Sequence, residues 1–156
     1  MFRTIFFAAV MLLCFTLSGA AQTDADREAI KQTALDYAEG WYAGDAERME
    51  RALHPNLAKR IVRNNQQGQS RLDELSAMGL VQGTRGGFGK QTPKAEQQKD
   101  VTILDAMESA ATVKLVMRDW VDYMHIGKFN GRWVILNVLW EMKPPKKAPQ
   151  NGTNKQ

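Results

Sequence analysis

Cysteine is almost missing from this 156-residue sequence, and the single one, Cys14, lies in an apolar run near the start. A chain so poor in thiols has no disulfide framework and no thiolate metal centre. Histidine is nearly as scarce, with only His54 and His125, so a conventional transition-metal site is excluded as well. No Gly-x-Ser-x-Gly elbow occurs, which removes the usual serine-hydrolase arrangement. The glycine-rich stretch Gly86-Gly87-Phe88-Gly89-Lys90 lacks the first glycine of a phosphate loop, and Gln91 stands where that loop carries Ser or Thr. Excess charge is small, +4 overall, and cations and anions alternate over most of the chain, so the footprint of a nucleic-acid binder is absent. The one long apolar run, residues 5–17, is shorter than the roughly 20 residues a membrane span needs.

That run does fit a secretory signal. Arg3 gives a basic start, the apolar stretch follows, and Ser18, Gly19, Ala20 and Ala21 supply small residues for cleavage. The expected organisation is a cleaved signal peptide over 1–21, one domain over 22–142 and a disordered basic tail over 143–156. Export to the periplasm or beyond follows, with no stable membrane anchor after cleavage. Leu13 is bulky where a lipoprotein signal carries a small residue before its cysteine, so lipidation of Cys14 is not expected.

Within the domain, Ile30, Ala34, Tyr37 and Trp41 share one stripe of a helix over about 24–42. Thr23 and Asp26 form a capping-box pattern at its start. Gly44 interrupts it, Asp45 caps a second helix carrying Ala46, Met49 and Leu53, and Pro55 ends that helix near His54. Residues 57–63 read as a strand and 64–69 as a polar loop. Ser70 with Asp73, and the spacing of Leu72, Leu75 and Met78, predict a third helix, and the glycines of 83–98 predict a loop. The last third predicts strands over 100–104, 111–117, 120–129 and 133–142. Asn130-Gly131 between the last two supplies both positive φ angles of a type I′ turn.

In the final strand Trp133, Ile135 and Leu139 are expected on one face, with Val134, Leu136, Val138 and Trp140 on the other. Both faces are apolar. Either a partner subunit covers the second, giving a homodimer through the sheet, or the strand is central and the sheet curls over it.

Three segments sharpen the fold class. Tyr-Ala-Glu-Gly-Trp-Tyr-Ala-Gly-Asp at 37–45, Leu-His-Pro at 53–55 and Asp-Tyr-Met-His-Ile-Gly-Lys-Phe-Asn-Gly-Arg-Trp at 122–133 resemble the putative lumazine-binding family of the nuclear transport factor 2-like superfamily. The resemblance covers about 25–142 and is clearest in Gly-x-Trp-x-Ile-x-Asn at 131–137. It implies an α+β cone, N-terminal helices packed on a bent antiparallel sheet, and its family label implies a pteridine-like ligand. It implies no nuclear transport role for an exported chain.

Such a cone leaves a pocket at its wide end, apolar with a few convergent polar groups. Tyr37, Trp41, His54, Tyr123, His125, Asn137 and Trp140 are the candidates to line it and to bind a small aromatic, heterocyclic or apolar ligand. Strand alternation separates Asp122 from Tyr123 and His125, so they cannot all face one cavity without a bulge. Trp41 and Trp140 either stack a flat ring or belong to the core. His54 either exchanges protons or holds its turn. Asp122 is either a general base, as in the similar ketosteroid isomerase fold, or the partner of Arg118 or Lys128. No cofactor is implied. Three readings follow: a binding module, an isomerase or dehydratase using Asp122 or His54, or a structural dimerisation domain whose pocket is filled by its own Met and Trp side chains.

Overall fold

A computed structural model describes residues 23–145. The expected signal peptide and nearly all of the basic tail lie outside the described residues. The domain has the α+β composition expected, with helices packed on a six-stranded curved sheet.

Helix α1, Asp24–Ala43, starts where Thr23 accepts the amide of Asp26 at 3.1 Å and ends at Gly44, whose φ of 69° is the left-handed geometry glycine tolerates. Its buried stripe of Ile30, Ala34, Tyr37 and Ala38 lies along the inside of the sheet. Helix α2, Ala46–Ala52, is capped by Asp45, which accepts the amide of Arg48 at 2.9 Å. It rests so closely on α1 that a Cβ at Gly40 would lie 3.0 Å from the Met49 nitrogen.

The chain turns directly from α2 into β1, Leu53–Asn64, so the second helix ends at Ala52 and His54 sits in a strand. The segment read as a helix from Ser70 is instead β2, Ser70–Ser76, and helix α3 spans only Ala77–Arg85. The spacing of Leu72 and Leu75 imitates a helical face, but both are exposed, and the backbone pairs antiparallel with β1, Val62 opposite Leu72. Ser70 does not cap a helix. Its hydroxyl donates to Asn64 at 2.8 Å, and Ser76 is the cap, accepting the amide of Gly79 at 3.2 Å. The residues after α3 are two short 3-10 turns, Phe88–Gln91 and Lys94–Glu96.

The remaining strands are β3, Lys99–Ala106; β4, Ala110–Met117; β5, Trp120–Phe129; and β6, Arg132–Met142. The order of the six strands is β2-β1-β6-β5-β4-β3, antiparallel except for the parallel β1–β6 pair. Asn130 and Gly131 have φ of 49° and 79°, the expected tight turn. Lys143, assigned to the tail by sequence, is held in the fold by donating to Gln98 at 2.7 Å and to the Met117 carbonyl at 2.5 Å.

A bulge between His125 and Ile126 corrects the expected facing of β6. Ile135 pairs with Ile126 and Asn137 with His125, leaving Leu136 as the extra residue. The alternation therefore changes phase at Leu136. Trp133 and Ile135 face inward before it, and Val138 and Trp140 face inward after it, whereas Leu139 turns outward and is 55% exposed. Gly127 leaves the space this needs, because a Cβ there would lie 2.7 Å from the Leu136 side chain.

Candidate functional site

The inward row of β1 is Leu57, Lys59 and Ile61, all buried. Alternation on a concave sheet sends every second side chain inside, so a lysine between two apolar residues of that row has no route to water. Lys59 is 3% exposed, and Asp122, on the inward row of β5, is 0% exposed. Their side chains form a direct ion pair. Lys59 also donates to the Tyr37 hydroxyl at 2.8 Å, and the Trp120 indole N–H donates to the second Asp122 oxygen at 2.9 Å. The partners expected for Asp122 are elsewhere: Arg118 pairs with Glu96 at 2.8 Å and Lys128 with Asp26 at 2.7 Å. Arg118 and Lys128 neighbour Asp122 in sequence, but the buried partner came from β1, 63 residues away.

Aromatic rings wall this ion pair. The Lys59 ammonium lies 4.7 Å from the Trp140 ring centroid, 5.4 Å from Tyr37 and 5.8 Å from Trp120, distances at which a cation is attracted to a ring face. Trp120 makes edge-to-face contacts with Trp41 at 5.9 Å and with Trp140 at 6.1 Å. Farther along β1, the Arg63 guanidinium is 5.8 Å from the Trp140 ring. The three indoles are half-buried, whereas the ion pair behind them is closed to solvent.

Burial pushes the Asp122 carboxyl above its ordinary range, against the opposing pull of Lys59, Trp120 and Tyr37. The same burial pulls the Lys59 ammonium down against Asp122, and raises the Tyr37 phenol well above its usual value with help from the Asp122 charge. Asp122 accepts from both Lys59 and Trp120 and has no exposure to solvent. Its role in this geometry is to fix Trp120 and Lys59, and through Lys59 the position facing Trp140.

Among the described residues, two buried side-chain polar groups have no hydrogen-bond partner: the Trp140 indole N–H and the Thr84 hydroxyl of α3. A buried donor left unpaired costs about 1–3 kcal/mol, so such groups call for an explanation.

Of the residues singled out from the sequence, Tyr37, Trp41 and Trp140 meet inside the cone around Asp122. Tyr123, His125 and Asn137 do not join them. They lie together on the outer face, where with Arg60 and Leu139 they line a shallow groove of about 410 Å³. His54 is apart from both groups, its ring 4.7 Å from Phe129 and its Nδ1 accepting the Asn56 amide at 3.1 Å. Lys59 and Trp120 were missed. The signal for Lys59 was its place in the Leu57-x-Lys59-x-Ile61 alternation. No group of three or more His, Cys, Asp or Glu side chains able to hold a metal occurs among the described residues.

The family described as Putative lumazine-binding matches residues 25–141, nearly the whole described domain. Among solved structures, the chain is similar to an NTF2-like protein of unknown function from Shewanella baltica OS155, at 16% identity and a TM-score of 0.58, covering 80% of this chain and 99% of that one. It is similar also to an NTF2-like protein with a cystatin-like fold from Novosphingobium aromaticivorans, at 12% identity and a TM-score of 0.57, covering 79% and 85%. A third, a protein of unknown function with a cystatin-like fold from Nostoc punctiforme PCC 73102, has 16% identity and a TM-score of 0.55, covering 79% and 95%. At these identities the likeness shows the fold alone. No curated protein matches the sequence.

Proposed function

This chain belongs to the putative lumazine-binding family, and we propose that it is an exported binding module whose tryptophan-walled cone takes a small planar heterocycle. The observation that carries the reading is the unpaired indole N–H of Trp140, which with Trp41 and Trp120 makes a group of three indoles, Trp120 being held by the buried ion pair. A flat ring with a carbonyl edge satisfies both features, stacking on indole and accepting that N–H. Burying Lys59 and Asp122 costs several kcal/mol per ion before their attraction is counted. Rigid positioning of the indoles gives that expense a purpose, since a preorganised site loses less entropy on binding.

Lumazine is the probe. Titrated into the full chain, it is expected to quench tryptophan emission and to add one lumazine mass per chain in native mass spectrometry. Unchanged emission and an unchanged mass at saturating lumazine overturn the reading. An isomerase or dehydratase reading requires Asp122 to release one of its donors, and Asp122→Asn would then abolish turnover while sparing binding.

A second reading concerns the outer face of the sheet. Val62, Leu72, Tyr123 and Leu139 are exposed there, and the Arg60–Glu74 pair at 2.7 Å, Lys114 and Glu141 place both signs of charge around them. Such a surface is self-complementary under a two-fold axis, which favours a homodimer through the sheet. Light scattering after size exclusion is expected to give twice the chain mass for the wild type and a monomer for Leu139→Glu. A monomeric wild type at tens of micromolar removes this reading.

A further inference from the structure

Among the described residues, the most exposed large apolar side chain is that of Phe88, 71% exposed. Single exposed apolar residues are ordinary on protein surfaces, so exposure alone carries nothing. What distinguishes Phe88 is how firmly its backbone is held and where its ring stands. Next to it, Gly89 is buried against α1: a Cβ there would lie 2.2 Å from the Trp41 carbonyl oxygen and 2.5 Å from the Trp41 ring, so only glycine allows the approach. On the other side, Gly87 adopts a φ of 78°, and its amide donates to the Thr84 carbonyl at 2.9 Å. Gly86 donates to Gln82 at 2.8 Å, and Lys90 to Gly87 at 3.0 Å. The backbone of residues 86–90 is thus tied to α3 and to Trp41 itself, while the Phe88 ring projects outward.

That ring stands at the end of an aromatic row. Gly83 of α3 separates it from Trp41: a Cβ on Gly83 would lie 3.3 Å from the Phe88 ring and 3.7 Å from the Trp41 ring. Trp41 contacts Trp120, and Trp120 contacts Trp140 above the Lys59 ammonium. Aromatic side chains therefore follow one another from solvent at Phe88 to the buried ion pair, and the missing side chain at Gly83 lets the Phe88 ring lie close to α3 on the side of Trp41.

We infer that Phe88 is the outer wall of the ligand site, a specificity-determining residue that covers a planar aromatic ligand after it enters along the row. The inference rests on the reading of the cone as a planar-ligand site and adds to it the residue that faces the ligand from outside. A bound ring would remove Phe88 from water and give its exposed face a partner, which a purely local packing role does not explain. Rotation about the Phe88 side-chain bonds suffices, because the backbone is fixed by Gly89 and Gly87. The class of ligand selected is one large enough to reach past Trp41, a fused bicyclic ring rather than a single small ring.

The test compares wild type, Phe88→Ala and Phe88→Tyr in lumazine titrations read by tryptophan emission, with thermal midpoints measured in parallel. Phe88→Ala is expected to weaken lumazine binding by about tenfold, the scale of one lost aromatic contact. Phe88→Tyr is expected to retain wild-type affinity, and all three proteins to share one thermal midpoint, since the ring is exposed. Wild-type binding with an unchanged affinity in Phe88→Ala overturns the role of Phe88 and leaves the cone reading standing. A lowered midpoint in Phe88→Ala matching the affinity loss overturns it too, by making Phe88 a packing residue. Absence of lumazine binding by the wild type overturns both.

Discussion

Asp26 and Asp122 are bonded alike and titrate in opposite directions. Each accepts one lysine ammonium and one indole N–H: Asp26 from Lys128 at 2.7 Å and Trp133 at 2.9 Å, Asp122 from Lys59 and from Trp120 at 2.9 Å. In each case the lysine also lies over a tryptophan ring, Lys128 over Trp133 at 5.7 Å and Lys59 over Trp140 at 4.7 Å. At the start of α1 the Lys128 hydrogen bond holds the Asp26 carboxyl below its ordinary value, with Trp133 adding to it. Inside the cone burial outweighs the same kinds of donor and raises Asp122. The difference is solvent. Water shares the charge of Asp26, and the interior leaves Asp122 to its protein donors alone.

The comparison can be broken most sharply by deleting the buried charge. Asp122→Asn leaves Lys59 as an unpaired ammonium in an apolar layer, and the expected loss is about 3–5 kcal/mol of folding stability in urea denaturation. Lys59→Met combined with Asp122→Leu removes both charges and is expected to recover most of that loss. A single-mutant loss below about 1 kcal/mol, the scale of an exposed pair, would mean that the two aspartates are equivalent after all.

Acid separates them next. Asp26 has a lowered folded value, so its contribution is fully present above the unfolded value of about 3.9 and is lost as pH falls through the folded one. Asp122 has a raised folded value, so its titration favours the fold below about 3.9, and that contribution is lost as pH rises through the raised value. Because Asp26→Asn leaves no charge buried without its partner, it is expected to lower the urea midpoint at pH 6 by much less than Asp122→Asn. Its difference from wild type should close as the pH is brought below about 3.9. A difference that widens in acid would reverse the assignment.

Salt gives the smallest effect. At 1 M the screening length is about 3 Å, so the wild-type advantage over Asp26→Asn is expected to shrink, while the Asp122→Asn deficit stays constant. Equal salt sensitivity in the two variants would place both carboxylates in water.

Much of this architecture was legible because it is local. The Thr23 and Asp45 caps, the Tyr37 stripe of α1 and the Asn130-Gly131 turn each depend on residues a few positions apart, and the structure has them as read. Residues 70–76 were misread because β2 is an edge strand exposed on both faces, so it carries no inward alternation, and the spacing of Leu72 and Leu75 passes for a helix. The facing of Leu139 was misread because a bulge at Leu136 shifts the phase of β6 without leaving a mark in its apolar pattern. The site was half legible. Tyr37, Trp41, Trp140 and Asp122 converge as aromatic and acidic candidates, but Tyr123, His125 and Asn137 fall on the opposite side of the same sheet.

By itself the sequence determined the family, the caps that start the first two helices, the strand-rich last third and its tight turn, since each is a matter of short-range sterics, capping and periodicity. Only the tertiary structure decided that Lys59 of β1 meets Asp122 of β5. The strand order sets β1 and β5 on either side of β6, and with Tyr37 of α1 against them water is excluded from both side chains. A charge announces itself in a sequence by its type alone, and whether water reaches it depends on residues far along the chain.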